Sequence, residues 1–502
     1  MLACIVALLP APAAAQDNLD VAAAGRSVVR VVVVSMLEGE PSGIGTGSGV
    51  AVAPDKILTN AHVVADAADG EAIIGVVPSE GRKRFTGKLI AYEPQRDLAL
   101  IQLLDGRVEP GTIASGPVPD GAAVAALGYP YSVDRARELS AEGFVTPQAP
   151  VKSWGRVSGG ASSQRFDTVL HDASIGRGNS GGPLVDACGR VVGINSFVSN
   201  SEGVDAVFGF AVSVKEIIPF LRAEGVKPHV IALPCRTSAE QAAIDERLDR
   251  TDAARAEAER NRAELSQDRL QSRREQIRDR ILAERDQGAA IAGLLLVFGA
   301  VLLNGAFVLL AKDDRRLAIG AGAAGLLLMA GAPVAWASRP DLDQADSRLA
   351  AENPKQAAAA AQAAAGSYVC RIDLERSRIT VSDPQDETLD WAEGGCEGAS
   401  RQFAQDETRW IRADVSTDSA VASIRRFDPA TARYSVEHYF LAADTLAAAR
   451  ALQAKYPAKA CTPDGARMAG NFTQALRDLL PAAANERLVY ACEHVQKAPA
   501  ER

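Results

Sequence analysis

Between Asp172 and Val185 the chain sets one serine among four glycines: Gly176-Arg177-Gly178-Asn179-Ser180-Gly181-Gly182-Pro183. A serine hydroxyl is a weak nucleophile at its ordinary pKa, so it needs a base beside it and amide donors aimed at the oxyanion it creates. Glycines let the backbone turn tightly enough to supply both. As a nucleophile turn, the stretch offers the N–H groups of Gly178 and Ser180 as an oxyanion hole, while Gly181 and Gly182 keep side chains out of the substrate's way. Taken alone, the same residues also fit a glycine-rich hairpin with an incidental serine. The base must come from the 5 histidines: His62, His171, His229, His438 and His494. His62 ends the β-rich run that starts at Ile57, where a strand would deliver an imidazole to an edge. Asp97 leads into the apolar run Leu98 to Leu103, a single acid placed to orient that imidazole and stabilise its charged form. Each of the three is the polar end of a hydrophobic strand, as a cleft between packed sheets would need. His171 competes for the role of base, but it has no partner block and reads as structural.

Three blocks in this order, Thr59-Asn60-Ala61-His62-Val63-Val64, Arg96-Asp97-Leu98-Ala99-Leu100-Ile101-Gln102-Leu103 and Gly178-Asn179-Ser180-Gly181-Gly182-Pro183-Leu184-Val185, resemble the active-site blocks of the trypsin-like serine proteases, and within them the HtrA/Deg branch. Gly45 to Val52 (GTGSGVAV) and Val207 to Ile217 (VFGFAVSVKEI) are similar to that branch too. The resemblance covers roughly Ser27 to Leu221, under half of the chain. It implies an all-β, chymotrypsin-like double barrel with its site in the groove between barrels. By it His62 is the general base, Asp97 its orienter, Ser180 the nucleophile, and the amides of Gly178 and Ser180 the oxyanion hole. Position relative to the matched motif gives Ser174, Ile175, Asn195, Ser196 and Phe197 as walls of the specificity pocket. None is acidic, so a small or medium apolar residue suits it better than Arg or Lys. No recognisable PDZ domain follows, which leaves the family's usual mode of substrate capture without a counterpart.

The elements that must position these residues are legible in the patterning. Val28 to Val34 is nearly all β-branched, and short apolar runs separated by Gly, Pro and Asp turns follow it, as in a pair of barrels rather than alternating β and α. The second barrel is expected from about Ala122, including Val191 to Asn195 and Phe208 to Val214, with a closing helix over Val214 to Glu224. These fall in a protease domain spanning 16–236. Ahead of it, residues 1–15 are apolar and end in Ala13-Ala14-Ala15, as in a secretion signal, though without a basic leader.

After Cys235 the composition changes. Residues 237–287 are rich in Ala, Glu, Asp, Arg, Gln and Leu, a long-helix composition carrying Glu246/Arg250, Glu257/Arg260 and other charge pairs at helical spacing. The apolar stripe is thin, so a solvated single helix and a weak coiled coil both fit, and a homo-oligomer through this helix stays open. Residues 288–311 and 317–337 carry no charge and are long enough to cross a hydrocarbon core. The basic loop 312–316 between them places the hairpin tip in the cytoplasm and both flanks outside. Gly320, Gly322 and Gly325 offer close helix approach, and Asn304 a hydrogen bond across the pair. An Ala-rich linker, 338–366, leads to a small α+β domain, 367–502, in which no family and no catalytic cluster is recognised.

The chain has 502 residues, 47% of them hydrophobic, and a formal net charge of −9, which gives no reason to expect nucleic-acid binding. Apart from Cys4 the cysteines are Cys188, Cys235, Cys370, Cys396, Cys461 and Cys492. Pairing by region gives 188 with 235, 370 with 396 and 461 with 492, as in an exported protein; reduced buried cysteines are the alternative. No cysteine or histidine spacing suggests a metal site, and no cofactor is expected. The expectation is a membrane-anchored serine endopeptidase on the periplasmic side of the inner membrane, acting on protein or peptide substrates in envelope protein quality control or regulated proteolysis. The rivals are a catalytically silent protease-like binding or sensor module in an envelope complex, and an esterase using the same three residues.

Overall fold

The computed structural model describes residues 13–338 and 365–495, apart from 39, 71, 117, 163–165, 200–205, 312–314, 393, 399, 407–408 and 458–460. Most of the expected signal segment, most of the basic loop and nearly all of the Ala-rich linker therefore lie outside the described residues. Ala13–Ala24 is a helix.

The first barrel is built from β1 (Val28–Leu37), β2 (Glu40–Ala53), β3 (Lys56–Thr59), β4 (Ala72–Pro78), β5 (Phe85–Glu93) and β6 (Leu98–Leu103), closed in the order β1-β2-β3-β6-β5-β4. Its unbroken apolar strands follow from having two cores to fill. Successive side chains of a strand point to opposite faces. Val29, Val31, Val33, Ile57, Ala99 and Ile101 fill the barrel interior. Val28, Val50, Val52, Leu58, Leu98 and Leu100 face the other way and share a core with Leu127, Val185, Ile194 and Val212 of the second barrel.

That second sheet comprises β7 (Ile113–Ala114), β8 (Ala123–Gly128), β9 (Val151–Ser162), β10 (Asp167–His171), β11 (Pro183–Asp186), β12 (Val191–Val198), β13 (Gly209–Ser213) and β14 (Val230–Ile231). β11 pairs with both β8 and β12, which closes β8-β9-β10-β13-β12-β11 into a ring, and β7 and β14 extend it beyond β12. Arg30, the one charge in the first strand's apolar run, is fully buried and forks onto Asp134 at 2.5 and 2.9 Å, with its guanidinium against Tyr129. A buried guanidinium survives only when paired in this way. The helix Val214–Ala223, capped by Ser213, packs Ile217, Phe220 and Leu221 into the shared core.

The charged segment and the first apolar span, expected as separate pieces, are one continuous helix of 74 residues, Ser238–Ala311. A second helix, Arg315–Ala337, follows, and both are long and apolar enough to cross a membrane. The two pack where side chains are smallest: a Cβ on Gly325 would lie 3.0 Å from the Gly299 carbonyl oxygen. Gly320 meets nothing, and Asn304 donates to Ala300 O in its own helix rather than across the pair. An amide in an apolar helix finds its nearest acceptor one turn back.

The C-terminal domain is a nine-stranded sheet among the described residues: β15 (Gly366–Ile372), β16 (Glu387–Ala392), β17 (Cys396–Glu397), β18 (Arg401–Gln402), β19 (Ala404–Asp406), β20 (Arg409–Val415), β21 (Val421–Asp428), β22 (Arg433–Phe440) and β23 (Glu486–Val495), ordered β18-β17-β16-β15-β23-β22-β21-β20-β19. Helices Ala443–Lys455 and Pro463–Arg477 cover its β19–β20 end. Cys188 is bonded to Cys235, but the other two pairs differ from the expectation: Cys370 joins Cys492 and Cys396 joins Cys461. The reason is topological. β15 and β23 are the first and last strands of the domain yet neighbours in the sheet, and their register sets Cys370 opposite Cys492.

This domain is docked on the two barrels. Asp20 of the N-terminal helix forms a buried ion pair with Arg378 and accepts from Asn485 Nδ2 at 2.8 Å. Ile231 of β14 lies in the same apolar cluster as Tyr368, Phe427 and Tyr490. Glu80, in the loop after β4, accepts from the Ala443 amide at the start of the helix Ala443–Lys455, an N-terminus without a side-chain cap of its own.

Candidate active site

β3 ends at Thr59 and passes into a tight 3-10 turn, Ala61–Val64, that holds His62 with its side chain about half exposed. Asp97 stands one residue before β6 with φ +53°, a left-handed conformation that aspartate tolerates better than most residues. Three neighbours hold it there. Asn60 Nδ2 donates to the Asp97 carbonyl at 2.8 Å, the His62 amide to Oδ1 at 3.1 Å, and the Ser196 hydroxyl to Oδ2. His62 Nδ1 lies 3.0 Å from each Asp97 carboxylate oxygen. An Nδ1–H donating there leaves Nε2 with its lone pair free to take a proton.

Ser180 sits in the loop before β11, and its carbonyl accepts from the Ser48 amide of β2 at 2.9 Å. Ser48 Oγ donates to Gly178 O at 2.6 Å and accepts from the Tyr129 amide at 3.0 Å, so one buried side chain ties the serine loop to both barrels. Gly178 and Gly181 have φ +94° and +86°. A Cβ on Gly181 would collide with Ser48 O, and one on Gly178 with Tyr129 O. Gly182 lies as close to Leu127 O. The expectation that Gly181 and Gly182 clear space for substrate is thus replaced: the space they clear is for the barrels to close on the loop. The Arg177 carbonyl accepts from the Tyr131 amide at 2.8 Å, which turns the Gly178 N–H of the same trans peptide the opposite way. Among the described residues neither the Gly178 nor the Ser180 amide donates a hydrogen bond. Such a pair of fixed, unused donors beside a hydroxyl is what an oxyanion needs. The Ser180 hydroxyl itself donates to Ser196 O at 3.1 Å rather than to His62.

The five expected pocket residues divide. Ser174 is exposed, Ile175 packs at the edge of a small core with Val169, and Phe197 is 42% exposed with its ring stacked on Phe210 at 4.7 Å. Asn195 does not wall a pocket: it is fully buried and its Nδ2 donates to Gly182 O. Strand alternation turns it inward while its neighbour Ser196 faces Asp97 and Ser180. His171 is also fully buried, with neither ring nitrogen hydrogen-bonded, and burial lowers its pKa to about 4 against smaller opposing pulls from Asp172 and Asn195. It does not reach the His62–Asp97 pair and stays neutral.

Residues 47–194 match the family model of the trypsin-like peptidase domain. The chain carries a trypsin-like peptidase domain. It is similar to the periplasmic serine endoprotease DegP of Escherichia coli, 32% identical over 169 residues that make up 33% of each protein. It is likewise similar to the serine protease Do-like HtrA of Bacillus subtilis, 32% identical over 183 residues, 35% of this chain and 38% of that one. The solved active form of the Rv3671c protease of Mycobacterium tuberculosis matches 45% of this chain and 90% of its own, at 27% identity and a TM-score of 0.34. The chain spans about a third of the length of the curated relatives it matches.

Sequence reading missed Ser48 and the role of Ser196. The first had a signal, its place in the GTGSGVAV block; the second had none, because a serine beside Asp97 is a property of how β12 meets β6. Also missed is a second Ser-His-carboxylate cluster in the C-terminal domain. Ser382 Oγ donates to Glu486 Oε2, which lies 3.1 Å from His438 Nδ1, itself 3.5 Å from Ser382 Oγ.

Proposed function

We infer that this chain is a serine endopeptidase anchored in a membrane, with Ser180 as nucleophile, His62 as general base and Asp97 as orienter. The observation that supports the reading is the His62 imidazole, bound through Nδ1 to both Asp97 oxygens, with Ser196 joining that pair to Ser180: its hydroxyl donates to Asp97 Oδ2 and its carbonyl accepts from Ser180 Oγ. Ser180 Oγ rotates from the Ser196 carbonyl, loses its proton to His62 Nε2 and bonds to the substrate's carbonyl carbon. The oxyanion forms against the Gly178 and Ser180 N–H groups. His62 then gives its proton to the leaving amine, and water resolves the acyl-enzyme by the same route in reverse. Substrates are proteins or peptides, with an apolar side chain favoured beside the exposed ring of Phe197.

The two apolar helices form the anchor, with the short loop between them in the cytoplasm. Disulfides occur both before and after them, which fits both folded regions lying in an oxidising compartment such as the periplasm. One observation favours a second reading, a silent protease-like module: the Ser180 hydroxyl is held by Ser196 O and not by His62. A fluorophosphonate probe on the full chain decides between them. The endopeptidase reading expects labelling of wild type, none of Ser180→Ala, and cleavage of unfolded casein by wild type only. A folded wild-type chain that takes no label leaves the silent module.

A further inference from the structure

The C-terminal domain contains a cavity of about 400 Å³ between β20, the end of β18 and the two helices that cover them. β19 pairs with β20 only as far as Ile411, so from Arg412 onward β20 is a free sheet edge. A free edge ordinarily invites another strand. Here it is closed to one, because the outward amides are already taken: Ala413 N–H by Thr473 Oγ1 at 3.2 Å and Val415 N–H by Gln453 Oε1 at 2.7 Å. The cavity therefore suits a small molecule better than an added peptide strand.

Its walls have two characters. Val415, Tyr456, Met468 and Phe472 make an apolar surface, with methionine able to adapt to the occupant. Arg412 and Arg450 supply positive charge. Arg450 is committed, donating to the carbonyls of Ser416, Thr417 and Ser419. Arg412 is not. Its one hydrogen bond among the described residues is a long one, Nη1 to Gln402 O at 3.3 Å, and the carboxylates that act on it, Asp414 and Glu397, do so without an ion-pair contact there. Burial lowers its pKa, the mark of a cation withdrawn from water. The carboxylate in the same wall, Asp414, is engaged by Arg425 at 3.1 Å. A half-buried guanidinium without a counter-ion in contact is costly to hold, and its fork matches a carboxylate. Ligand sites of this size are mostly apolar with a few convergent polar groups.

We propose that this cavity is a binding site for a small amphipathic monocarboxylate, its anion on Arg412 and its apolar body against Phe472, Met468 and Tyr456. The site stands apart from the serine turn, and the inference does not depend on the peptidase reading.

The test uses the full chain in lipid nanodiscs, with empty nanodiscs as blank, and three isosteric probes: 3-phenylpropionate, 3-phenylpropan-1-ol and 3-phenylpropylamine. Binding is read by saturation-transfer NMR. Saturable binding of the carboxylate is expected, at least tenfold weaker for the alcohol and the amine. Arg412→Met should weaken it at least tenfold, and Ala469→Leu, which keeps the arginine and fills the cavity, should do the same. Should Arg412→Met fail to fold, Ala469→Leu decides alone. The proposal is overturned by no binding above the blank, by equal binding of the amine, or by a folded Ala469→Leu that binds as wild type does.

Discussion

Among the described residues two places bring a serine, a histidine and a carboxylate together, and they differ in what is left to offer a substrate. At the first, Asp97 accepts from His62 and Ser196, His62 is half exposed, and among the described residues neither its Nε2 nor the two backbone amides of Gly178 and Ser180 make a hydrogen bond. In the C-terminal domain, Glu486 is fully buried and saturated. Its Oε1 accepts from the amides of Thr380, Val381 and Ser382 and the Thr380 hydroxyl, while Oε2 takes Ser382 Oγ and His438. Burial alone would raise this carboxyl, but the bonds from His438 and Ser382 hold it down at about 2. The same ring nitrogen of His438 faces both the serine and the glutamate, so no relay runs through the ring. The contrast is between a site whose donors are spare and one whose donors are spent on a fold.

Removing each serine in turn separates the two clusters most strongly. Ser180→Ala should lower peptide hydrolysis on the order of 10⁶-fold, the scale for losing a nucleophile from such a unit. Circular dichroism should show the fold retained. Hydrolysis that survives in Ser180→Ala would move the chemistry elsewhere, with Ser382 the next candidate. Asp97→Asn comes second, at about 10⁴-fold in kcat, because an amide favours the wrong imidazole tautomer. Its Ser196 contact gives a finer readout. Ser196→Ala, measured in the same assay, should cost far less than Asp97→Asn, since His62 and Asn60 still hold the aspartate.

How much of this could be seen in the sequence differs between the two regions for a physical reason. His62, Asp97 and Ser180 each lie at the end of a strand, in local blocks whose residue order is dictated by the turn that presents them. The two barrels likewise announce themselves, because strands such as β1 must be apolar on both faces to fill two cores. What could not be read was anything decided by which distant strands meet. Cys370 and Cys492 are 122 residues apart and adjacent in the sheet. Ser382, His438 and Glu486 converge through β22, β23 and a loop, and Asp20 finds Arg378 across most of the chain. Asn195 was placed in a pocket wall because its neighbours in sequence line the cleft; alternation along β12 sends it inside.

The next perturbations act on stability, first at the saturated cluster. Glu486→Gln removes a buried anion that six donors converge on, and should cost about 3–5 kcal/mol in the C-terminal domain, read by urea denaturation. Its wild-type pH dependence has a definite sign. A carboxyl lowered in the fold contributes stability that is fully present above the unfolded value of about 4.3 and is lost as pH falls toward about 2. That acid-linked loss should be absent in Glu486→Gln. In the protease domain the acid-sensitive group is His171. A histidine lowered to about 4 binds its proton more readily unfolded, so stability is lost as pH falls from about 6.5 to 4, by on the order of 3 kcal/mol in total. His171→Leu, which keeps the volume and removes both unpartnered ring nitrogens, should abolish that slope while leaving hydrolysis at neutral pH near wild type. A slope that persists would assign the acid sensitivity to another group, and lost hydrolysis would mean that His171 supports the serine loop.

The smallest expected effect is also the most discriminating control. Ser382→Ala deletes one of six hydrogen bonds to Glu486 and leaves the other five donors in place. Since the bond is made to an anion, its loss should cost about 1.5–3 kcal/mol, at the low end because Glu486 remains well solvated by backbone amides. Hydrolysis and fluorophosphonate labelling should be unchanged, because the amides of Thr380, Val381 and Ser382 are already spent on Glu486. If Ser382→Ala instead lowers turnover while Glu486→Gln lowers it by the same factor, the two clusters are coupled through the docked interface of Asp20, Arg378 and Asn485. Asn485 precedes Glu486 directly, so a shift of the glutamate would reach Asp20 and the protease barrels through one peptide bond. Unchanged kinetics with a measurable stability loss would leave the second cluster as what its saturation implies, a buried charge that fixes how the strands of the C-terminal sheet meet.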